Sequence, residues 1–402
     1  TGPSTTPSKQ VNYGTDITIS NNTLLNFRVK GVIVNHYHNV TTDGNTMSTS
    51  NAACNGAASF WDAGDNITFT KNTLYVSSTA ANTRVVIIAM APSNGPAGDS
   101  TKPGLVANNM IQYAGTNSTA PTGLLLKNKA YIKVYNNTFK TKNQGGAANC
   151  IWLDNNNARS LEGIEVRNNV MTLENSGSGQ FVYSGSNAIG GRYKNIVIDY
   201  NDYYAPNSYF RNIVPDGTSR SIYTTFASYK ANTKGFGVGA LNVDPGFVSA
   251  TDLHATSAVM NDSAAVIASI TTDIDGDTRS TTNPDIGADE YTPPTCPAPS
   301  ALGAFNVTST MAGIYWTASS SGSTFKVQYD SVGFTLGSGM VMNVSNDTAS
   351  ISGLSGQTTY SFFVMELCSA TDSSTWQGPY SFTTPCATIS TFPYLETFDN
   401  AP

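Results

Sequence analysis

The chain has 402 residues, only 12% of them charged, and a net charge of −6, so it lacks the clustered Lys and Arg of a nucleic-acid grip. No run of about 18 apolar residues occurs, which excludes a membrane-spanning helix in this segment. Apolar residues reach 39%, with 20 Tyr and 17 Phe for a core, and the Asn, Thr, Ser and Gly that fill the remainder suit turn-dense β structure better than helix interiors.

The opening, TGPSTTPSKQ, carries no signal peptide, and the end, PYLETFDNAP, stops without a domain behind it. The expectation is an internal piece of a longer protein, with any export signal or anchor outside it. The odd count of five Cys agrees, since one partner would lie beyond Pro402.

A repeat follows along the chain: ITISNNTL (17–24), ITFTKNTL (67–74), LVANNMI (105–111), IKVYNNTF (132–139), IEVRNNVM (164–171) and IVIDYNDY (196–203). The second member of each pair is always Asn, at Asn22, Asn72, Asn109, Asn137, Asn169 and Asn201, whereas the first also accepts Lys71 and Tyr200. Successive spacings of 50, 37, 28, 32 and 32 suggest stacked units with inserts of varying length. Apolar residues alternate with period two, so the units are read as strands. A second short apolar run precedes most of them: GVIV (31–34), RVVIIAM (84–90), GLLL (123–126), CIWL (150–153) and FVY (181–183). Each coil would hold a strand, a loop, a second strand, the Asn turn and a third strand. The invariant Asn is expected to take the left-handed conformation at a tight turn and to stack on its neighbours, Asn137 on Asn109 and Asn169. Asn136, in the variable position, is expected to face outward.

These coils resemble the secreted pectate-lyase-like right-handed parallel β-helix proteins over about residues 12–291. NVDPGFVS (242–249), DIDGDTRS (273–280) and PDIGADEY (284–291) resemble the way many bacterial surface β-helix domains end. After a Pro-rich linker (292–295), residues 296–386 resemble a fibronectin type III sandwich: Trp316 in GIYWTA stands where such domains bury a Trp, and SGLSGQTTYSFFVMEL (352–367) supplies the Leu and Tyr of a tyrosine corner. Residues 387–402 resemble the start of a further extracellular β module. Modules of this wording recur in large secreted cell-surface proteins of Bacteroidota, the gliding and type 9 secretion group. The resemblance implies an all-β chain that is secreted or displayed at the cell surface, with surface glycans, the secretion machinery and further domains of the same chain as partners. It also implies that Cys296 and Cys368, at one pole of the sandwich, form a disulfide. Cys386 would pair beyond Pro402. Cys54 and Cys150 would bridge only if the 35–64 segment folds back along the coils; a free buried thiol at Cys150 is the alternative.

Candidate chemistry is sparse. Asp154, Arg159, Glu162, Glu165 and Arg167 are the nearest approach to the acidic and basic clusters of lyases and hydrolases, and Glu165 with Arg167 reads as a surface ion pair. His36 and His38 stand two apart, aimed to one side if on a strand, in the longest insertion between matched strands, residues 35–64, the first choice for ligand contact. Asp273, Asp275 and Asp277 stand at every second position, a spacing that suits a structural Ca²⁺. No other cofactor is expected. The resemblance adds O-glycan attachment at Asp-Ser/Thr-small motifs, at Ser100, Ser263, Ser331 and Thr348. The expected function is an adhesin-like or structural segment presenting surfaces for glycans, cells or solid substrates. The alternative is an extracellular polysaccharide lyase or glycoside hydrolase with an accessory type III module.

Overall fold

The computed structural model describes residues 14–61, 66–89, 99–116, 120–143, 148–154, 161–175, 179–184, 193–206, 210–216, 219–232, 234–319 and 324–387. The chain is nearly all β and divides into two compact units, Thr1–Thr292 and Pro293–Pro402. No described helix is long and apolar enough to cross a membrane. The expected start of another module, 387–402, lies outside the described residues but for Ala387, as does Arg159.

In the first unit the chain deals successive strands to three parallel sheets in turn. Sheet A holds Gly14–Ser20, Tyr37–Asp43, Ile67–Thr70, Gly104–Ala107, Ile132–Tyr135, Glu165–Arg167 and Val197–Asp199. Sheet B takes the strand after each Asn pair, from Thr23–Leu25 to Asp202–Tyr204. Sheet C runs from Val32–Asn35 through Arg84–Ala89, Thr122–Lys127, Asn149–Asp154 and Gln180–Ser184 to Asn212–Asp216, which ends in an antiparallel pairing with Ser219–Tyr223. Period two explains the core: Ile132 and Val134 from A, Phe139 from B and Ile151 and Leu153 from C point inward and are buried. Fully burying such a side chain contributes about 1.5–3 kcal/mol. The last circuit is closed by a short helix, Phe226–Lys230, whose buried Tyr229 meets Tyr203, Phe210 and Tyr223 in an edge-packed aromatic cluster.

At the corner between sheets A and B, seven asparagines form a continuous amide ladder. Each Oδ1 accepts from both the backbone N–H and the side-chain Nδ2 of the rung before it. Asn109 N and Nδ2 reach Asn137 Oδ1 at 3.1 and 2.8 Å, and Asn137 N and Nδ2 reach Asn169 Oδ1 at 2.9 Å each. The Nδ2 of each inner rung also reaches carbonyls on two circuits, as Asn137 does to Tyr135 O and Val106 O. The column needs a side chain that both donates and accepts at one length. Asp would stack like charges about 4.8 Å apart, and Ser has no second donor.

Three expectations are corrected here. The ladder includes Asn45, which donates to Asn72 Oδ1 and accepts from Asn22. Residues 35–64 are therefore a further circuit, with strands Tyr37–Asp43, Thr46–Thr49 and Ala58–Trp61, rather than one long loop. The left-handed residue is the first of each pair, at Asn21, Gly44, Lys71, Asn108, Asn136, Asn168 and Tyr200, with φ between 50° and 64°. That explains the Gly in the hidden repeat, because only the conformation is required there. Asn136 does not face solvent: it is buried under the segment that follows the circuits, donating to Asp285 O at 3.2 Å and accepting from Asn168 Nδ2 at 3.3 Å. The segment starts on the last circuit, where Leu241 N donates to Asn201 O at 3.0 Å. It runs back over sheet B, where Asn108 donates to Thr272 O at 2.6 Å, Asn168 to Ala265 O at 2.7 Å, and Ala288 N donates to Thr138 Oγ1 at 3.0 Å.

The second unit has antiparallel sheets of three strands (Ser300–Phe305, Met311–Thr317, Thr348–Ser352) and four (Thr324–Ser331, Met340–Val344, Thr359–Leu367, Gln377–Thr383) that share one core. Trp316 is buried against Phe325, and Tyr360 Oη accepts from Ser355 N at 3.0 Å. A disulfide joins Cys296 to Cys368, with Cα atoms 5.7 Å apart. Cys54 and Cys150 are free and buried, and burial raises the Cys150 thiol to about 12; Cys386 is free and exposed.

Candidate functional site

The three sheets of the first unit present three different outer faces. On sheet B the outward residues Met110 and Val170 are covered by Leu253, Ala255, Met260, Ile286 and Ala288 of the returning segment. On sheet A outward polar groups are paired along the stacking direction. Lys133 Nζ lies 3.8 Å from Glu165 Oε1, Arg167 Nε donates to Asp199 Oδ1 at 2.6 Å, and Tyr135 Oη donates to Glu165 Oε2. Glu165 and Arg167 therefore pair with neighbouring circuits and not with each other. The reason is register: residues opposite each other on adjacent parallel strands are closer than residues two apart on one strand.

Sheet C differs. Its outward column runs Ile87, Leu125, Trp152, Tyr183, Ile213 and Ile222 in successive strands. The Trp152 and Tyr183 rings lie 5.5 Å apart, and the Arg84 guanidinium sits 4.8 Å over the Trp152 ring. Beside them a groove of about 410 Å³ is lined by Asn149, Trp152, Gln180, Tyr183, Arg211 and Ile222, among others. Four polar atoms around this groove have no hydrogen-bond partner in the chain: Trp152 Nε1, Arg84 Nε, Arg211 Nε and Asn149 Oδ1. Buried polar groups are normally paired, so unpaired ones gathered beside an aromatic platform set this face apart from sheet A. Asp154 lies at its edge, with Lys127 Nζ 3.9 Å away; burial raises its carboxyl above the ordinary range against the opposing pull of Lys127 and Arg84.

The candidates named from sequence are dispersed. Asp154 borders the groove, Glu165 and Arg167 are on the sheet A face, and Glu162 is on a separate two-strand ladder with Tyr193–Lys194. His36 is the left-handed residue, φ 62°, that ends one strand before His38 on the next, so the two do not share a strand. Asp273, Asp275 and Asp277 do not converge on one point. Asp273 is fully buried and spends its carboxylate on the backbone N–H groups of Asp275, Gly276, Asp277 and Glu290 at 2.8–3.0 Å. Ser100, Ser331 and Thr348 are exposed, whereas Ser263 is half-buried and donates to Val259 O at 2.7 Å. The groove residues escaped the sequence reading because CIWL and FVY register as apolar runs. The signal was there in Trp152, which falls between the two inward residues Ile151 and Leu153 and must face out.

No protein-family model matches the chain, and no curated protein matches it. Solved structures with local similarity include one titled "Myokine structure", 17% identical over 23% of this chain and 99% of that one, with TM-score 0.20. The chicken CNTN1 FN1–FN3 domains are 12% identical over 22% of this chain and 31% of that one, TM-score 0.21. The FN5 domain of Drosophila Lar is 18% identical over 23% of this chain and all of that one, TM-score 0.20.

Proposed function

We propose that this chain is a segment of a large secreted cell-surface protein, adhesin-like in role, and that the outer face of sheet C binds glycan, acidic glycan in particular. Its first unit would be a right-handed parallel β-helix of the pectate-lyase-like kind, its second a fibronectin type III sandwich acting as a spacer. Export by a type 9 system and O-glycans on Ser100, Ser263, Ser331 and Thr348 belong to the same reading, and glycopeptide analysis of the exported protein tests the latter.

The observation that supports the glycan reading is the company that the unpaired donors keep. Trp152 and Tyr183 offer rigid amphipathic area at little entropic cost, and Trp, Tyr and Arg are the residues on which binding energy concentrates. Asn149, Gln180, Arg84 and Arg211 add donors and acceptors for hydroxyls, and two guanidiniums favour carboxylate or sulfate. A panel of soluble oligosaccharides, uronate-containing, sulfated and neutral, titrated calorimetrically into the protein is the test. The expected result is binding of acidic oligomers that weakens with salt and falls at least about tenfold in Arg211→Ala, with substrate recovered intact. Turnover of any member of the panel would replace the binding reading with the lyase or hydrolase one, and silence across the panel would remove both.

A further inference from the structure

The segment that straps sheet B brings together three side chains distant in sequence. His254 Nε2 lies 2.8 Å from Asp275 Oδ2, and Asp289 joins them, so that one donor atom from each falls within 4.8 Å of the others. Among the described residues this is the group of His, Cys, Asp and Glu side chains close enough to share an ion. We propose that His254, Asp275 and Asp289 form a binding site for a first-row divalent cation of the Zn²⁺ type.

The geometry favours such an ion in three ways. His254 Nδ1 hydrogen-bonds Asp252 Oδ1, which fixes the ring and turns Nε2 toward the two carboxylates. This is the carboxylate–histidine arrangement that orients ligating imidazoles and sharpens their basicity. Asp273 is the positioning residue: its carboxylate gathers the amides of 275–277 on one oxygen and that of Glu290 on the other, which holds Asp275 and the residue after Asp289 at fixed places. The donor set also discriminates. One imidazole with carboxylates suits Zn²⁺ and its neighbours, whereas Ca²⁺ takes oxygen ligands throughout. A tetrahedral ion with bonds of about 2.0–2.1 Å needs its ligand atoms roughly 3.3 Å apart, so on binding the widest separation closes by up to about 1.5 Å and the His254–Asp275 pair opens by about half an ångström. A bound cation would join the segment at residues 252–254, 273–277 and 285–290, three points of one strap.

Electrostatics agree without deciding the matter. Burial pushes the Asp289 carboxyl up to about 6, with His254 opposing and Asp273 and Asp275 adding to the rise. Burial works against the His254 imidazolium, yet the flanking carboxylates Asp252 and Asp275 raise its pKa overall. Burial works to raise the Asp252 carboxyl, yet its hydrogen bonds to His254 and the His254 charge together hold it below its ordinary range.

The experiment is titration of the chain with ZnCl₂ followed by calorimetry, with CoCl₂ as a spectroscopic stand-in. One Zn²⁺ per chain is expected, together with a visible Co²⁺ spectrum of imidazole–carboxylate ligation and a raised melting temperature. Asp275→Asn, at the most exposed ligand, keeps the metal-free melting temperature and loses the binding; Asp252→Asn weakens it about 10–100-fold. His254→Gln should abolish the Co²⁺ spectrum. Binding that persists unchanged in His254→Gln would belong to His36 or His38 and overturn the assignment. So would tighter binding of Ca²⁺ than of Zn²⁺, or no uptake of Zn²⁺ by the intact chain.

Discussion

The outer faces of sheets A and C are built from strands of the same circuits, yet they treat polar groups in opposite ways. On sheet A Lys133, Glu165, Arg167 and Asp199 find partners one circuit up or down. On sheet C Arg84, Arg211, Asn149 and Trp152 each keep an unpaired atom beside an aromatic platform. In a stack of parallel strands, pairing within a column needs no outside partner and stabilises the stack, as the Asn ladder does inside. A column left unpaired is available for something else. Charge alone does not tell the two faces apart; the register does.

The largest expected effect lies at the fully paired extreme. Asn137→Ala leaves the Asn109 N–H and side-chain amide and the carbonyls of Val106 and Tyr135 without their partner, and each orphaned buried group costs about 1–3 kcal/mol. A loss of roughly 3 kcal/mol or more by denaturant unfolding of the first unit is expected; a loss near zero would mean that the ladder is decoration. At the unpaired face, Trp152→Ala should weaken acidic oligosaccharide binding about 30-fold, the equivalent of roughly 2 kcal/mol, in a chain that still folds. Arg167→Ala should cost about 1–2 kcal/mol of stability, since it leaves the partly buried Asp199 without its cation, and should leave the affinity unchanged.

A pH effect follows from Asp202. Burial raises its carboxyl from 3.8 to about 7, and its Oδ2 has no partner. The folded state therefore holds a proton that the unfolded chain gives up near pH 4, and the contribution present below that pH is lost as pH rises through 7. The first unit should melt higher at pH 5 than at pH 8, and Asp202→Asn should flatten that slope; an unchanged slope would place the titration elsewhere. The smallest effect belongs to Asn136→Gly. It removes the bonds to Asp285 and Asn168 but keeps the left-handed turn at φ 50°, so less than about 1.5 kcal/mol should be lost, well short of the change at its neighbour Asn137.

Much of this was legible in the sequence, and the gaps have physical causes. Alternation in IKVYNNTF exposes both the strands and the repeat, because one face of every strand is buried. The rung at Asn45 was hidden because TDGNTM satisfies the left-handed corner with Gly44 and offers little apolar patterning around it. The two members of each pair were assigned the wrong way round for the turn. Invariance within the chain suggested a backbone requirement, whereas the invariant position needs an amide and the variable one needs only a positive φ, which Asn, Gly, Lys and Tyr all supply here. The returning segment and the His254, Asp275 and Asp289 cluster were beyond reach, since strap contacts such as Asn108 to Thr272 span 164 residues and follow no period. The Asp273, Asp275 and Asp277 spacing drew attention to the right loop, although Asp273 is its internal cap.

The most direct measurement is the affinity of Trp152→Ala and Arg167→Ala for one uronate oligosaccharide, compared with the parent chain in the same buffer. Loss of binding in Trp152→Ala alone, with Arg167→Ala equal to the parent, is the result predicted by assigning reception to sheet C and cohesion to sheet A. Equal affinity in Trp152→Ala, or loss of binding in Arg167→Ala, would contradict that division and move the functional site to the other face.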